Sequence, residues 1–350
     1  MNRTIAVAIS GGIDSMVAAH LLKQQGHEVF AVHFTTGFEK SIGRPPAEAE
    51  VAADALQAMV SRLGMTLHVV DLQREFRREV VDYVARTYLA GETPNPCIVC
   101  NPRIKFGALL EWAGRAGAEL LATGHYARIE RDAAGRCRLL KGADPQKDQS
   151  YFLGGLSQDQ LRRAVFPLGG LTKAKVRAIA ARQRLSPALP AESQDICFIR
   201  GGRYPEVLDL PSSAGPIEDV DGKIIGEHQG LHRFTVGQRR GINRPAARPY
   251  YVVRIDRVQN RLVVGGRQDL LSPGCRVVRI NWIAPPPEAS RRVATRLRYR
   301  HREAPSTLTP LEEASAVVAF DESQPAVTPG QAAVFYDGDE VLGAGVIATL

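Results

Sequence analysis

The stretch Ser10-Gly11-Gly12-Ile13-Asp14-Ser15 decides the fold of this chain. An apolar run, Ile5-Ala6-Val7-Ala8, leads into it, and a helical pattern follows it. A short apolar run predicts a buried strand, so the chain passes from a strand through a glycine-rich turn into a helix. The backbone N–H groups of such a turn, with the helix N-terminus behind them, bind anions. The order of strand, turn and helix therefore predicts a phosphate-binding loop.

The side chains of this loop have distinct chemical uses. Gly11 and Gly12 permit backbone angles and close approaches that a Cβ would block. Ser10 and Ser15 supply hydroxyl donors, and Asp14 either caps the helix or helps to hold a metal ion beside the phosphates. The loop lacks the Gly-Lys-Ser/Thr ending of a Walker loop and the glycine spacing of a Rossmann loop. An ordinary Gly-Gly turn before a capped helix is the alternative interpretation.

The first half of the chain alternates between predicted strands and predicted helices. The strands are Thr4–Ile9, Glu28–Phe34, Thr66–Asp71 and Leu120–Thr123. The helices are Ser15–Gln25, Ala47–Leu63, Arg74–Leu89 and Arg103–Ala116. This alternation predicts an α/β fold with a doubly wound parallel sheet. Ligands of such sheets bind beyond the carboxyl ends of the strands, where the Ser10–Ser15 loop falls.

The second half has a different character. Ser157–Leu185 is predicted to be a small helical module, broken at Phe166–Gly170. From about Gly201 glycine, proline and β-branched residues increase, which predicts two small β-rich, barrel-like domains. The predicted strands there are Tyr250–Ile255, Arg261–Val264, Cys275–Trp282, Ala316–Phe320 and Gln331–Tyr336. We therefore predict a catalytic domain at 1–200 with its module at about 151–190, a central domain at 201–272 and a C-terminal β-barrel at 273–350.

Composition limits the class of protein and its partners. The chain has 350 residues and a formal net charge of +8, which suits a polyanionic partner. Basic residues cluster within Arg291–Arg302 and Arg233–Arg240. No apolar run approaches the length of a membrane span, and the N-terminus enters a strand almost at once, so we expect a cytoplasmic protein. The odd count of five cysteines argues against a secreted disulfide framework.

The cysteines give the second chemical signal. Cys97 and Cys100 lie in the segment Thr93–Asn101, where two prolines predict a stiff loop rather than a helix. Two thiols at this spacing can ligate one metal, form a redox pair or take separate roles, and Lys105 nearby would favour a thiolate. Cys197 alternates with apolar residues, so its pattern alone fits a core cysteine equally well.

Two polar segments complete the candidates. Thr123–Arg128 directly follows a predicted strand; its glycine would let a nucleotide lie close to the backbone, and its histidine can titrate near neutral pH. Lys147–Leu153 has a polar quartet followed by an apolar triplet, which suggests a surface that positions a polar group.

Together these segments resemble the tRNA-specific 2-thiouridylase family of the ATP pyrophosphatase superfamily. The resemblance runs through nearly the whole chain and is carried by Ser10–Ser15, Thr93–Cys100, Thr123–Arg128, Lys147–Leu153, Ser193–Ile199, Gly226–Gly230, Thr235–Arg239, Arg298–Arg300 and Val327–Gln331. Members of the family replace the 2-oxygen of the wobble uridine of certain tRNAs with sulfur. They first adenylate that oxygen with ATP, which implies ATP and Mg²⁺ as cofactors.

The resemblance assigns roles to matching positions of this chain. It implies ATP contacts at Ala8, Ile9, Ser10, Gly11, Gly12, Ile13, Asp14, Ser15, Phe34 and Gly124. It implies tRNA contacts at Asn95, Pro96, Cys97, His125, Lys147, Asp148, Gln149, Arg298, Tyr299 and Gln331. Cys197 would carry a persulfide, Cys100 would be the second catalytic thiol, and Asp14 would serve adenylation.

Alternatives to this assignment remain open. Family members carry either Asp or Cys at the position of Cys97, and this difference bears on a possible iron–sulfur cluster. With a cysteine there, Cys97, Cys100 and Cys197 could supply three ligands to a [4Fe–4S] cluster, which would then hold the transferable sulfide in place of a persulfide. The loop also suits an enzyme of the same superfamily that amidates or ligates a small molecule, and a non-enzymatic RNA-binding or iron–sulfur protein that keeps the loop as a relic is a third hypothesis. The expected sulfur donor of the thiolation route is a cysteine desulfurase or a sulfur-relay protein.

Overall fold

The computed structural model describes residues 2–38, 46–185, 187, 208, 210–244 and 248–348, and for 46–53 it describes the backbone alone. Helices and strands are numbered here in chain order. The α-helices are α1 (Ile13–Gln24), α2 (Pro46–Arg62), α3 (Gln73–Phe76), α4 (Asp82–Leu89), α5 (Pro96–Cys100), α6 (Leu110–Arg115), α7 (Ser150–Leu153), α8 (Gln158–Arg163) and α9 (Lys173–Arg182). Two π-helices, Arg77–Val81 and Asn101–Leu109, continue α3 and α5.

The strands fall mainly in the second half of the chain. They are β1 (Thr4–Ala8), β2 (Glu28–Thr35), β3 (Leu67–Asp71), β4 (Leu120–Ala122), β5 (Ala127–Arg131), β6 (Cys137–Lys141), β7 (Ala164–Val165), β8 (Gly215–Asp219), β9 (Ile224–His228), β10 (Tyr251–Asp256), β11 (Arg261–Gly265), β12 (Leu271–Trp282), β13 (Arg291–Arg296), β14 (Ala304–Leu311), β15 (Ser315–Pro325), β16 (Ala332–Asp337) and β17 (Glu340–Ile347). No helix among the described residues is both long and apolar enough to cross a membrane.

The chain divides into two compact units. The first comprises the described residues of 1–80, 97–202 and 339–341, and the second those of 81–96, 203–338 and 342–350. Helix α5 and strand β17 therefore each begin in one unit and end in the other.

A five-stranded parallel sheet forms the centre of the first unit, in the order β3-β2-β1-β4-β7. In β1 the residues Ile5, Ala6 and Val7 are at most 1% exposed, as a parallel strand covered on both faces requires. Helix α1 packs its buried residues, among them Met16 and Leu22, into the same core. The structure confirms the predicted doubly wound sheet, and its first four strands end within one residue of the predicted bounds.

The predicted helical module at Ser157–Leu185 is wrong in one respect. Helices α8 and α9 lie there, but between them β7 adds a fifth parallel strand, pairing Ala164 with Leu121 and Val165 with Ala122. A strand of two residues is too short to leave a periodic pattern in the sequence.

The prediction of a loop around Cys97 and Cys100 is also wrong. Helix α5 begins at Pro96, and Asn101–Leu109 continues it as a π-helix. Proline is well suited to the first position of a helix, because the N–H that it lacks has no partner there. Pro102 cannot donate to a carbonyl one α-helical turn back, and the wider π-helix begins one residue before it.

The first unit also contains an antiparallel hairpin that the sequence analysis missed. Strands β5 and β6 form it, and Glu340 and Val341 at the start of β17 pair with β6. Arg136 and Arg138 both form ion pairs with Glu340. The hairpin begins at Ala127, three residues after Gly124, and so fixes the segment that leaves the end of β4.

Beyond helix α4, the second unit consists mainly of β-structure, as predicted for the chain from about Gly201. Its smaller sheet has the order β10-β11-β8-β9 around a core that includes Val252, Leu262 and Phe234. The larger sheet runs β12-β15-β14-β13-β16-β17, and β12 also pairs with β17, so six strands close into a barrel. Strands β12, β15 and β16 agree in part with predicted strands, whereas β13, β14 and β17 were not predicted.

Candidate active site

The glycine-rich loop lies at the carboxyl end of the central strand of the parallel sheet. Strand β1 has β2 on one side and β4 on the other. The chain therefore reverses its direction of progress across the sheet between β1 and β4, and ligands of open α/β sheets bind at such a switch point. The loop after β1 and the segment Thr123–His125 after β4 lie at this same edge.

Internal hydrogen bonds hold the loop in its shape. Ser15 Oγ donates to the carbonyl of Gly12 at 3.0 Å and accepts from the N–H of Ser10 at 3.3 Å. Gly11 has a φ of +80°, which disfavours any residue with a Cβ. Helix α1 begins at Ile13, so the N–H groups of its first turn have no carbonyl within the helix to bind. The structure therefore has the predicted order of strand, glycine-rich turn and helix, with the N–H groups at the start of α1 directed out of the helix; anion binding by this loop stays a prediction.

Asp14 does not cap helix α1, contrary to one of the two predicted roles. The residue at the N-cap position is Gly12, which has no side chain to cap with. The Asp14 carboxylate instead accepts two bonds of 2.8 Å from Lys173 Nζ, one to each oxygen, and one of 2.8 Å from the Tyr126 hydroxyl. Its side chain is 32% exposed, whereas that of Lys173 is 9% exposed.

Gly124 packs against the start of α1. A Cβ on this residue would lie 3.0 Å from Asp14 C and 3.0 Å from Ser15 N, which are backbone atoms. The position therefore admits only glycine without displacement of the loop and helix. Gly124 therefore sets the distance between the segment after β4 and the start of α1, and the nucleotide contact predicted for it stays a prediction.

Ile9 and Phe34 are also among the residues predicted to contact ATP. Ile9 donates its N–H to the carbonyl of Val32, and its own carbonyl is 2.8 Å from His33 Nδ1, which must carry the proton of that bond. Phe34 is half-buried near the carboxyl end of β2 and pairs with Val70 of β3. His33, which the sequence analysis missed, thus supports the strand-to-loop junction from the neighbouring strand.

His125 is buried, which limits the tRNA contact predicted for it to its small exposed edge. It is 9% exposed and lies among the rings of Phe106 and Phe166, with Nδ1 2.7 Å from Thr123 Oγ1. Burial, with a smaller contribution from the Lys105 charge, lowers the pKa of His125 well below its ordinary value. The ring is therefore neutral at pH 7.

The predicted segment Lys147–Gln149 builds the loop before α7. Asp148 is 5% exposed and accepts bonds from the N–H groups of Gly142 and Ser150 and from the Ser150 hydroxyl. Gln149 pairs with Tyr126 in both directions, through its backbone N–H and its side-chain oxygen. Lys147 is half-buried. Asp148 and Gln149 therefore hold this loop in its conformation, and the RNA contacts of all three residues stay predictions.

The two described thiols of the candidate site lie one helical turn apart on α5. Cys100 is buried and Cys97 is half-buried. Next to them, Asn101 is 2% exposed and its amide donates to the carbonyl of Phe152 at 2.9 Å. Cys197 lies outside the described residues. Its predicted approach to Cys100 stays a prediction.

The second unit positions the other predicted tRNA residues. Gln331 Nε2 donates to the carbonyls of Pro94 at 3.0 Å and Thr93 at 3.3 Å, so it anchors the chain that leads into Asn95 and Pro96. Asn95 donates its N–H to the hydroxyl of Tyr83, a residue the sequence analysis missed. Burial raises the pKa of Tyr83.

Arg298 and Tyr299 lie in the turn after β13 and are both half-buried. Arg298 donates to the carbonyl of Pro325, and the Arg296 guanidinium lies 5.6 Å from the centre of the Tyr299 ring. Arg291 and Arg292 of the same basic cluster form exposed ion pairs with Asp337 and Asp321. Part of the basic charge predicted to meet a polyanion is therefore compensated within the unit.

The residues present fit a divalent cation beside ATP phosphates. Mg²⁺ is held in proteins by one or two carboxylates together with phosphate oxygens and waters, and Asp14 supplies such a carboxylate at the loop. Among the described residues no group of three or more His, Cys, Asp or Glu side chains is placed to hold a metal ion. Two of the three thiols proposed for a [4Fe–4S] cluster are described, one turn apart on α5.

The parallel sheet with its anion-binding loop at the switch point defines a nucleotide-binding domain of the ATP pyrophosphatase class. Three family models match the chain: the tRNA methyl transferase HUP domain over residues 3–201, the tRNA methyl transferase PRC-barrel domain over 208–266 and the aminomethyltransferase beta-barrel domain over 272–347. The models are named after methyl transfer, whereas the curated relatives carry another name.

Those relatives are similar over their whole length. The tRNA-specific 2-thiouridylase MnmA of Desulfosudis oleivorans is 53% identical over 350 residues, covering 99% of this chain and 95% of the relative. The proteins of the same name from Syntrophotalea carbinolica and Geotalea uraniireducens are 48% and 44% identical, each covering 99% of this chain and 99% and 95% of the relative. The chain belongs to the tRNA-specific 2-thiouridylase family, and the resemblance found in its sequence is confirmed.

Proposed function

We propose that this protein is an ATP-dependent sulfurtransferase that converts the wobble uridine of tRNA into 2-thiouridine. The observation that carries the proposal is a full-length identity of 53% to a 2-thiouridylase in a chain whose loop lies at the switch point of the sheet. Cys100 on α5 and Cys197 would supply a pair of thiols that a small-molecule ligase of the same superfamily would not need.

The loop would bind the phosphates of ATP. The N–H groups at the start of α1 face the triphosphate, and Phe34 on the neighbouring strand would lie beside the adenine. The uracil 2-oxygen attacks the α-phosphorus and pyrophosphate leaves, which turns a poor leaving group into AMP. A magnesium ion held by Asp14 would offset the negative charge that develops on the phosphates.

Sulfur transfer follows on the activated carbon. In one route the Cys100 thiolate attacks Cys197 Sγ and releases the outer sulfur of the persulfide as hydrosulfide, which attacks C2 and expels AMP. In the other, the outer sulfur attacks C2 and expels AMP, and Cys100 then attacks Cys197 Sγ to release the thiolated base. Both routes end in a Cys100–Cys197 disulfide that an external thiol must reduce.

The tRNA has to present its wobble base outside the anticodon stack. We assign contacts with the base to Asn95, Pro96 and Cys97, and contacts with the RNA to the other residues predicted for it. The sulfur itself would come from a cysteine desulfurase or a sulfur-relay protein, because the persulfide must be rebuilt after each turnover.

The test is the formation of AMP and pyrophosphate with and without unmodified tRNA. We expect both products only when tRNA is present, and Asp14→Ala to abolish them. A protein that forms AMP without tRNA would instead be a small-molecule ligase.

The cysteine variants test the thiol route. Cys100→Ser and Cys197→Ser should each stop thiolation, leave tRNA binding intact and still allow adenylation of tRNA, measured as the release of pyrophosphate; Cys275→Ser in the barrel core is the matched control. Wild-type thiolation by either active-site variant would remove that residue from the mechanism. A brown anaerobic preparation whose absorbance bleaches on reduction would favour the iron–sulfur alternative over the persulfide.

A further inference from the structure

The contact that the proposed function leaves unexplained is the ion pair between Asp14 and Lys173. Lys173 is the first residue of α9, and only 7% of it is exposed. Its Nζ lies 2.8 Å from each oxygen of the Asp14 carboxylate. A lysine is seldom buried to this extent without a partner, so the pair is a defined feature of the loop and not a surface contact.

The carboxylate is largely occupied in this state. Lys173 contacts both oxygens, and the Tyr126 hydroxyl donates to Oδ1 at 2.8 Å. A divalent cation that used Asp14 would meet the ammonium group of Lys173 at the same two oxygens. Two cations in contact with one carboxylate repel each other, so a metal ion bound at Asp14 weakens the contact between Lys173 and that carboxylate.

Hydrogen bonds anchor the backbone of Lys173 at the start of α9. Its N–H donates to Asp144 Oδ2 at 2.9 Å. The preceding residue, Thr172, caps α9 by accepting the N–H of Lys175 at 3.3 Å. The four-carbon stem can carry Nζ from Asp14 to another acceptor nearby without any change in the fold.

We propose that Lys173 is an exchangeable counter-ion of the loop. Before the nucleotide arrives, it neutralises Asp14; when the metal bound to ATP takes the carboxylate, the ammonium group passes to the phosphate oxygens that will leave as pyrophosphate. Tyr126 keeps its bond to Oδ1 and holds the carboxylate in place during the exchange. This inference rests on the proposed use of ATP by the loop but not on the thiolation step.

The test compares Lys173→Met with Lys175→Met. Methionine keeps most of the length of the side chain and removes the charge, and Lys175 is an exposed lysine two residues along the same helix. Binding is measured without tRNA by calorimetry, once with Mg²⁺ alone and once with pyrophosphate in the presence of saturating Mg²⁺. The fold is checked by circular dichroism and thermal melting.

The exchange predicts opposite effects on the two ligands. Lys173→Met should bind Mg²⁺ about tenfold more tightly, because the ammonium group no longer competes for Asp14, and pyrophosphate about tenfold more weakly, because its charged partner is lost. Lys175→Met should change neither affinity. A purely structural role for Lys173 would lower the melting temperature without this opposite pair of changes.

Three results would overturn the proposal: Mg²⁺ affinity that is unchanged or weaker, pyrophosphate affinity that is unchanged, or the same shifts in Lys175→Met. If Lys173→Met does not fold, Lys173→Gln is measured in the same way and judged by the same results. Because neither ligand requires tRNA or sulfur, a chain that binds both as predicted but never thiolates tRNA would refute the proposed function and leave the counter-ion exchange standing.

Discussion

Gly124→Ala is the perturbation whose effect follows most directly from the structure. The added methyl group would lie 3.0 Å from Asp14 C, 3.0 Å from Ser15 N and 3.2 Å from Asp14 Cβ. Two of these atoms belong to the backbone at the start of α1, so the clash is relieved only if the helix and its loop move by a few tenths of an ångström. Overpacking of this kind costs about 1–3 kcal/mol.

This strain should lower both the melting temperature of the protein and its affinity for ATP. For a unit of this size, a loss of 1 kcal/mol in the free energy of unfolding lowers the melting temperature by about 2–4 °C, so the melting temperature of the variant should be about 2–12 °C lower. Displacement of the loop by the same strain should weaken ATP binding about tenfold, the equivalent of about 1.4 kcal/mol. Differential scanning fluorimetry and calorimetry with ATP measure the two effects.

Gly170→Ala is the matched control. A Cβ at Gly170 meets no atom within 4 Å, and its φ lies outside the left-handed region. This variant should melt and bind ATP as the wild-type protein does. If Gly124→Ala behaves in the same way as this control, the close approach of Gly124 to α1 does not shape the loop and the reasoning fails.

Three further predictions concern the second unit. Gln331→Ala removes the donor to the carbonyls of Thr93 and Pro94, so the free energy of unfolding measured in urea should fall by about 1–3 kcal/mol. The rate of tRNA-dependent AMP formation should also fall, with the affinity for ATP unchanged. An unchanged rate would show that Gln331 does not position the segment before Asn95. Burial lowers the pKa of His301 to about 4, so the neutral ring contributes stability above pH 6.5 that is lost as the pH falls from 6.5 towards 4. His301→Gln should flatten that part of the urea-denaturation profile, and an equal slope would contradict it. Arg298→Gln should reduce the slope of log K for tRNA against log salt concentration by about one, whereas an unchanged slope would take this arginine off the RNA surface.

Local patterns in the sequence were sufficient for the core of the first unit. The apolar run before Ser10 and the two glycines after it predict a strand, a turn and a helix, and each is found. The prediction of a loop at Pro96 was wrong, because it treated proline as excluding a helix. Its position at the first turn made it a helix start instead.

The network around Asp14 could not have been predicted in this way. Lys173 lies 159 positions from Asp14 in the chain, and Tyr126 lies 112 positions away. Only the packing of α9 beside α1 and the path of the chain after β4 bring the three side chains together. For the same reason the sequence did not reveal that His125 is enclosed by two phenylalanine rings and held neutral.

The most direct test of the central claim is mass spectrometry of the nucleosides of unmodified tRNA after incubation with the protein, Mg-ATP, a cysteine desulfurase and cysteine under anaerobic conditions. We predict 2-thiouridine at the wobble position with the wild-type protein and none with Cys197→Ser. A wobble uridine that stays unmodified, in the presence of folded protein that binds both ATP and tRNA, would contradict the assignment of this chain as a tRNA 2-sulfurtransferase.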